Sequence, residues 1–282
     1  MLTPIIEAAA DPHVLTSRLE DGAVLTFDAL SFPLLPEEEK FRQRPFANGK
    51  TKNVSLRSTG LELRGAAGTE QEQEALRALL IRFRDFAREL VASNFPDYLA
   101  HARPARTSYR PFEVEGRRSS WRADDSRRHV DAFPSNPVGH DRILRVFLNF
   151  NTATPRVWRV GEDFSSMTDR FLRRVPAYSR LGAAALAAVR VTKSRRHEYD
   201  HVMLHLHDAM KKDLDYQASA PQQTVEFPPG LVWVGFSDVV LHSVLRGQYM
   251  LEQTFHLPLE AQQDPDKSPY RIIERKLGRA LH

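Results

Sequence analysis

The stretch RILRVFLNF, residues 142–150, constrains the fold more than any other part of the chain. In extended backbone, alternate side chains go to opposite faces, so Leu144, Val146, Leu148 and Phe150 share one side. Ile143, Arg145, Phe147 and Asn149 share the other. The first side is wholly apolar. The second sets an arginine and an amide between two large apolar residues, which does not suit free solvent. A strand of this kind belongs inside a sheet, with core on one face and a polar-lined pocket on the other.

The surrounding sequence supplies further elements. Residues 69–92 read as an amphipathic helix: Thr69 and Glu72 form a capping box, and Leu76, Leu79, Leu80, Phe83, Ala87, Leu90 and Val91 fall on one face. Asn94 and Pro96 end it. Residues 1–65 look irregular, with a short strand at AVLTF (23–27). Helical texture returns over 165–190, interrupted by Pro176, and over 197–213. VEFPPGLVWVGF (225–236) reads as strand, turn, strand, and Val239 to Leu257 as two strands around a Leu-Arg-Gly turn at 245–247. There is no internal repeat and no low-complexity linker, so one β-rich core with helical additions accounts for the 282 residues.

Composition removes several kinds of chemistry. The chain has no cysteine, which excludes disulfides, thiolate zinc sites and cysteine nucleophiles. No apolar stretch approaches the ~18 residues of a spanning helix. No basic segment followed by an apolar run opens the chain, so a cytoplasmic location is the default expectation. Forty basic against 36 acidic residues leave a net charge of +4. The arginines cluster, however, with Arg106, Arg110, Arg117, Arg118, Arg122, Arg127 and Arg128 all preceding residue 129. Such a cluster suits a carboxylate, a phosphate or an acidic lipid. No helix-turn-helix, zinc or RNA-binding signature accompanies it, and a nucleic-acid partner is not expected.

Two histidine patterns stand out. His197, His201 and His205 recur at helical spacing, and two of them could share a zinc ion, but Val202 occupies the place of a metalloprotease glutamate. A polar stripe on a half-buried helix is the simpler reading. The second pattern is RRHVDAFP, where His129 and Asp131 sit two residues apart. With His242 far downstream they would form two imidazoles and one carboxylate on one side of a metal, leaving three positions open. That is the donor set of non-haem Fe(II) oxygenases, which need room for O2 and a co-substrate.

With RRHVDAFPSNP, DRILRVFLNFN, PRVWRVGEDF, YDHVMLHLHDAMKKDLDYQ and VEFPPGLVWVGFSDVVLHSVLRGQYMLEQTFHLP, the chain resembles the Kdo hydroxylase family of Fe(II)/2-oxoglutarate dioxygenases over roughly residues 106–258. The resemblance implies an α+β chain with a double-stranded β-helix core (jelly-roll, cupin-like) and flanking helices. The expected division is one domain, 1–282: an N-terminal extension (1–65), helical support (66–100), the jelly-roll core (101–260) with a helical insertion (165–215), and a C-terminal helix (261–282). It implies hydroxylation of 3-deoxy-D-manno-oct-2-ulosonic acid (Kdo) at C3 to Ko in the lipopolysaccharide inner core. The acceptor would be Kdo-lipid A at the inner face of a Gram-negative inner membrane, where peripheral contact is expected.

Under the same resemblance His129, Asp131 and His242 bind Fe(II), and 2-oxoglutarate is oxidatively decarboxylated by O2. Many relatives anchor the far carboxylate of 2-oxoglutarate with an arginine on the strand after the distal histidine. This chain departs from that pattern, with Gln248 and Tyr249 near that place. Arg145 becomes the expected anchor, Arg246 its reserve and Arg110 a distant third, with Phe147, Asn149 and Gln248 beside the co-substrate. Arg127, Arg128, His140 and Lys211 are the expected substrate contacts, and Trp121, Trp158 and Trp233 candidate walls. Three other readings stay open at this point: the same chemistry on another acidic glycan or a macromolecule, a non-catalytic jelly-roll module for anionic lipid, and a zinc hydrolase on the 197–205 stripe. SPYRIIERKLGRALH (268–282) reads as a basic amphipathic helix, suited either to acidic lipid or to docking on protein.

Overall fold

The computed structural model describes residues 1–8, 11–57, 62–133 and 136–281. Its strands are β1 (Ile5–Glu7), β2 (Val24–Phe27), β3 (Val54–Leu56), β4 (Leu63–Arg64), β5 (Arg103–Arg110), β6 (Arg142–Asn149), β7 (Arg156–Gly161), β8 (Gln222–Phe227), β9 (Val232–Phe236), β10 (His242–Arg246) and β11 (Met250–Leu257). Its α-helices are α1 (Pro12–Glu20), α2 (Glu70–Asn94), α3 (Pro96–Leu99), α4 (Phe164–Phe171), α5 (Arg180–Ala188), α6 (Glu198–Lys212), α7 (Leu214–Ser219) and α8 (Pro269–Leu277).

The strands form an eight-stranded sheet, ordered β1-β2-β9-β6-β11-β5-β3-β4, and a three-stranded sheet, β10-β7-β8. Pairing is antiparallel except between β1 and β2. The two-faced strand is β6, held between β9 (Val146 opposite Val234) and β11 (Val146 opposite Gln253). All eight of its residues are buried, as its sequence demands. β9 lies in the larger sheet and β10 in the smaller, so the chain crosses between sheets through residues 237–241. His242 opens β10 directly after that crossing.

α2 runs over residues 70–94. Thr69 accepts from the Glu72 amide and Glu72 returns a bond to the Thr69 amide, and the seven apolar residues of its predicted face are the ones it buries. It contacts β5 and β11, so it covers one side of the larger sheet. Burial of each of its leucines and of Phe83 contributes about 1.5–3 kcal/mol relative to exposure. The 165–190 region divides as its proline requires: α4 and a 3-10 turn end before Pro176 and α5 begins after it.

Residues 1–65 are more ordered than their pattern suggested. Asp11 caps α1 with Pro12 in its first turn, a signal too short for periodicity to reveal, and β2 edges the core against β9. At the other end α8 docks on its own chain. Tyr270 and Ile273 are buried, Lys276 reaches Asp169, and Arg279 pairs with Glu198 at 2.6 Å. Its apolar side, Lys276 and, just beyond the helix, Arg279 are therefore committed inside the molecule.

Candidate metal centre

Residue 129 meets residue 242 in an isolated antiparallel bridge. Each backbone amide donates to the other residue's carbonyl, both at 2.9 Å. Two residues on, the Asp131 amide donates to Ser237 O at 2.8 Å. Segment 129–131 thus lies along the crossing between the two sheets, where extended backbone puts His129 and Asp131 on one face. The imidazoles of His129 and His242 are 4.7 Å apart, centroid to centroid. One donor atom from each of His129, Asp131 and His242 lies within 4.8 Å of the others, and among the described residues this is the only such group of three.

The hydrogen bonds fix which nitrogen is available. His129 Nδ1 lies 2.8 Å from Arg127 O and His242 Nδ1 2.8 Å from Val240 O. A carbonyl can only accept, so Nδ1 carries the proton and Nε2 the lone pair. The Trp158 ring stacks on His242 at 5.1 Å, and His207 stands edge-on to His129 at 5.3 Å. Burial pushes the pKa of both histidines down; the neighbouring His242 adds to this for His129, and Asp131 opposes it for His242. Burial alone would raise Asp131, but Arg145, then His242 and His129, hold it well below the usual carboxylate range. Asp131 Oδ2 is buried with no well-formed hydrogen bond, although Arg145 Nη2 is 3.0 Å away. Two neutral imidazoles and one under-used carboxylate on one side suit a divalent first-row metal such as Fe(II).

The centre opens into a cavity of about 700 Å³ whose lining is strongly basic: Lys52, Arg110, Arg122, Arg145, Arg156 and Lys211 all reach it. Most of these cations already face carboxylates. Arg145 bridges Asp131 and Glu252 (3.0 and 3.1 Å), Arg110 binds the same Glu252 (2.7 Å), Lys52 holds Asp125 (2.9 Å) and Arg122 holds Asp208 (2.9 Å). Burial would raise the Glu252 pKa, yet Arg110 and Arg145 leave it lowered. Arg156 differs. It is 2% exposed and forms no ion pair among the described residues. Its Nη1 donates to Gly247 O at 3.0 Å and its Nε has no partner. Burial, then the charge of Arg110, pushes it down to about 9.

The model of the 3-deoxy-D-manno-oct-2-ulosonic acid (Kdo) hydroxylase family matches residues 6–280. The chain belongs to the Kdo hydroxylase family. Among solved structures it is similar to the Kdo hydroxylase KdoO, a non-heme Fe(II) alphaketoglutarate dependent dioxygenase, in complex with alphaketoglutarate and Fe(III). That match has 40% identity and a TM-score of 0.93, over 99% of this chain and 97% of that one. The cobalt(II) complex of KdoO matches at 41% identity and a TM-score of 0.94, with the same coverage. The complex with succinate and Fe(III) matches at 40% and 0.93, again over 99% and 97%. No curated protein matches the sequence.

In this family member the cavity gathers some of the sequence-derived candidates and not others. His129, Asp131, His242, Arg145, Phe147, Trp158 and Lys211 line it. Arg127 and Arg128 do not. Arg127 binds Asp124 and Lys211 O, while Arg128 is buried on the opposite side of its segment, donating to Tyr216 O, Pro221 O and Gln222. His140 lies against Tyr270, and Asn149 donates to Thr154 O and Phe227 O at the end of β6. Arg246 pairs with Glu226 at the surface, and Gln248 donates to Pro111 O. Trp121 packs with Arg122 outside the cavity and Trp233 is core. Among the described residues the 197–205 stripe forms no group of three metal-ligating side chains: His201 Nε2 contacts Pro176 O, and His197 stands at the N-cap position of α6. Sequence reasoning missed Arg156, Lys52 and His207, and it reached Arg122 only as one member of the arginine cluster. For Arg156 a signal existed, since it shares strand parity with Trp158 in PRVWRVG.

Proposed function

We propose that this chain is an Fe(II)/2-oxoglutarate-dependent hydroxylase that converts Kdo to Ko by hydroxylation at C3, with Kdo-lipid A as its acceptor. The observation that carries the reading is the convergence of His129, Asp131 and His242 at the floor of a basic cavity, in a member of the Kdo hydroxylase family. The two sheets are read as the halves of a double-stranded β-helix, with the N-terminal segment, α2, the 165–215 insertion and α8 belonging to the same single catalytic unit.

His129, Asp131 and His242 are assigned as the iron ligands, each imidazole held by its own backbone carbonyl. When bound, Fe(II) with 2-oxoglutarate and O2 supplies the oxidising power for the hydroxylation. The chain's other groups bind and orient. Arg145 holds Asp131 ionised and aimed. Arg156 is assigned to the far carboxylate of 2-oxoglutarate in preference to Arg145, because both ends of the Arg145 guanidinium already meet carboxylates whereas Arg156 is a buried cation with no counter-charge in contact among the described residues. An incoming carboxylate would supply that charge and a partner for Nε. Arg122 and Lys211, at the cavity wall on the α6 side, are assigned to the anionic sugar. Trp158 and Phe147 keep water from the centre.

A cytoplasmic chain working at the inner face of the inner membrane fits a lipid-anchored acceptor. Among the described residues no helix is long and apolar enough to cross a membrane. The test is mass spectrometry of Kdo-lipid A after incubation with the protein, Fe(II), 2-oxoglutarate and air. The expected product carries one added oxygen and loses label from substrate deuterated at C3. Succinate release driven by another acidic glycan, with Kdo-lipid A inert, overturns the assignment.

A further inference from the structure

The insertion between β7 and β8 carries a helix turned inside out. α5 buries Ala183, and Ala187 is half-buried, but Leu181, Ala184, Ala185 and Ala188 face solvent as one apolar stripe. Leu181 is 86% exposed, and just beyond the helix Val189 and Val191 are 69% and 56% exposed. Amphipathic helices of a folded chain normally turn this stripe to the core. From residue 170 to residue 196 the sequence holds eight arginines and lysines and no carboxylate. Arg173, Arg180, Arg190 and Arg195 are exposed and form no ion pair among the described residues. The segment is pinned beside the cavity: Tyr178 donates to Arg196 O at 2.7 Å, His201 contacts Pro176 O at 2.8 Å, and Arg196 lines the cavity.

We propose that residues 170–195 form a docking surface for an anionic phospholipid bilayer. The apolar stripe of α5 with Val189 and Val191 enters the headgroup boundary, and the surrounding cations face lipid phosphates. Charge selects this occupant. A second copy of the chain would bring the same cations against one another. A nucleic acid would leave the apolar stripe in water. A bilayer of acidic lipid satisfies both halves of the surface. Docked this way, the chain presents its cavity beside the membrane plane, where a lipid-anchored sugar is held. That consequence rests on the function proposed above, whereas the docking itself does not.

The experiment is flotation of the full chain with vesicles of phosphatidylcholine, alone or with about 30% phosphatidylglycerol. It is run beside turnover of Kdo-lipid A in those vesicles and of a water-soluble Kdo glycoside. Binding is expected to be stronger by about tenfold or more on anionic vesicles and to weaken with salt. Leu181→Glu/Val189→Glu is expected to lose about tenfold in flotation and in turnover of the embedded substrate, with the soluble glycoside hydroxylated as before. Arg180→Glu/Arg190→Glu should remove the anionic preference. The proposal is overturned by equal binding to neutral vesicles, by flotation that survives both double variants, or by equal loss of turnover on the soluble substrate. Intact flotation with neither Kdo compound oxidised supports the docking surface and rejects the proposed function instead.

Discussion

Arg145 and Asp131 meet at 3.0 Å inside the cavity, and the same guanidinium reaches Glu252 at 3.1 Å on its other side. The carboxylate assigned to the metal is thus one end of a buried chain, Asp131–Arg145–Glu252–Arg110. Removing a single partner from such a chain leaves an uncompensated buried charge, at a cost of about 3–5 kcal/mol. Glu252→Gln is expected to lose stability of that order in urea melts. It should also weaken Fe(II) binding, because Arg145 then draws harder on Asp131. Unchanged stability in the variant argues against the chain of charges.

Asp131→Ala and His242→Ala are each expected to abolish stoichiometric Fe(II) binding, read by equilibrium dialysis. His205→Ala, on the α6 stripe, should leave it intact. Retention of one Fe(II) per chain in the Asp131 variant would mean that the donor set has been misassigned.

Arg156 separates stability from function. Arg156→Met replaces an unpaired buried cation by an apolar side chain of similar length and is expected to stabilise the chain by about 1–2 kcal/mol. It should raise the KM for 2-oxoglutarate by about tenfold or more, the loss of one charge-assisted pair, with the KM for the sugar little changed. A sugar KM that rises while that for 2-oxoglutarate holds would transfer Arg156 to the substrate side.

Arg128 shows how far the sequence could be read and where the reading slipped. His129 and Asp131 were legible because a two-residue spacing needs only extended backbone to bring two donors to one face. The same alternation sends Arg128 and Val130 to the other face, and both are buried there. Arg128 runs over Tyr216 and past Gly161, where an added Cβ would come within 2.7 Å of its Cδ. α2 was legible for a similar reason: its cap and stripe are local. The role of Glu252 was not legible, since its partners Arg110 and Arg145 arrive on β5 and β6, the two neighbours that flank β11 in the sheet. No local pattern encodes that meeting.

Accordingly, Arg128→Ala is expected to behave as a structural lesion. It leaves the Tyr216 and Pro221 carbonyls without their donor and opens space beside Tyr216, costing about 3 kcal/mol in urea melts. The KM for the Kdo substrate, measured per folded molecule, should be unchanged. A sugar KM raised tenfold at full folding would restore Arg128 to the binding site.

The two histidines also set a pH dependence. Their folded pKa values lie below the unfolded value near 6.5, because burial disfavours the imidazolium. Between folded and unfolded values the unfolded chain binds more protons, so metal-free stability falls as the pH drops through about 6.5. Asp131 and Glu252, lowered by their arginines, act in a separate window. Their contribution is complete above the unfolded carboxylate values near 4 and is lost as the pH falls through the lower folded ones. Urea midpoints of the metal-free chain should therefore decline in two steps. The His129→Gln/His242→Gln variant is expected to flatten the first step, to the extent that His205 and His256, also lowered by burial, do not sustain it. It should leave the acid step in place. An undiminished first step in that variant would assign the proton uptake to those other histidines and remove the argument that the metal-binding imidazoles rest neutral.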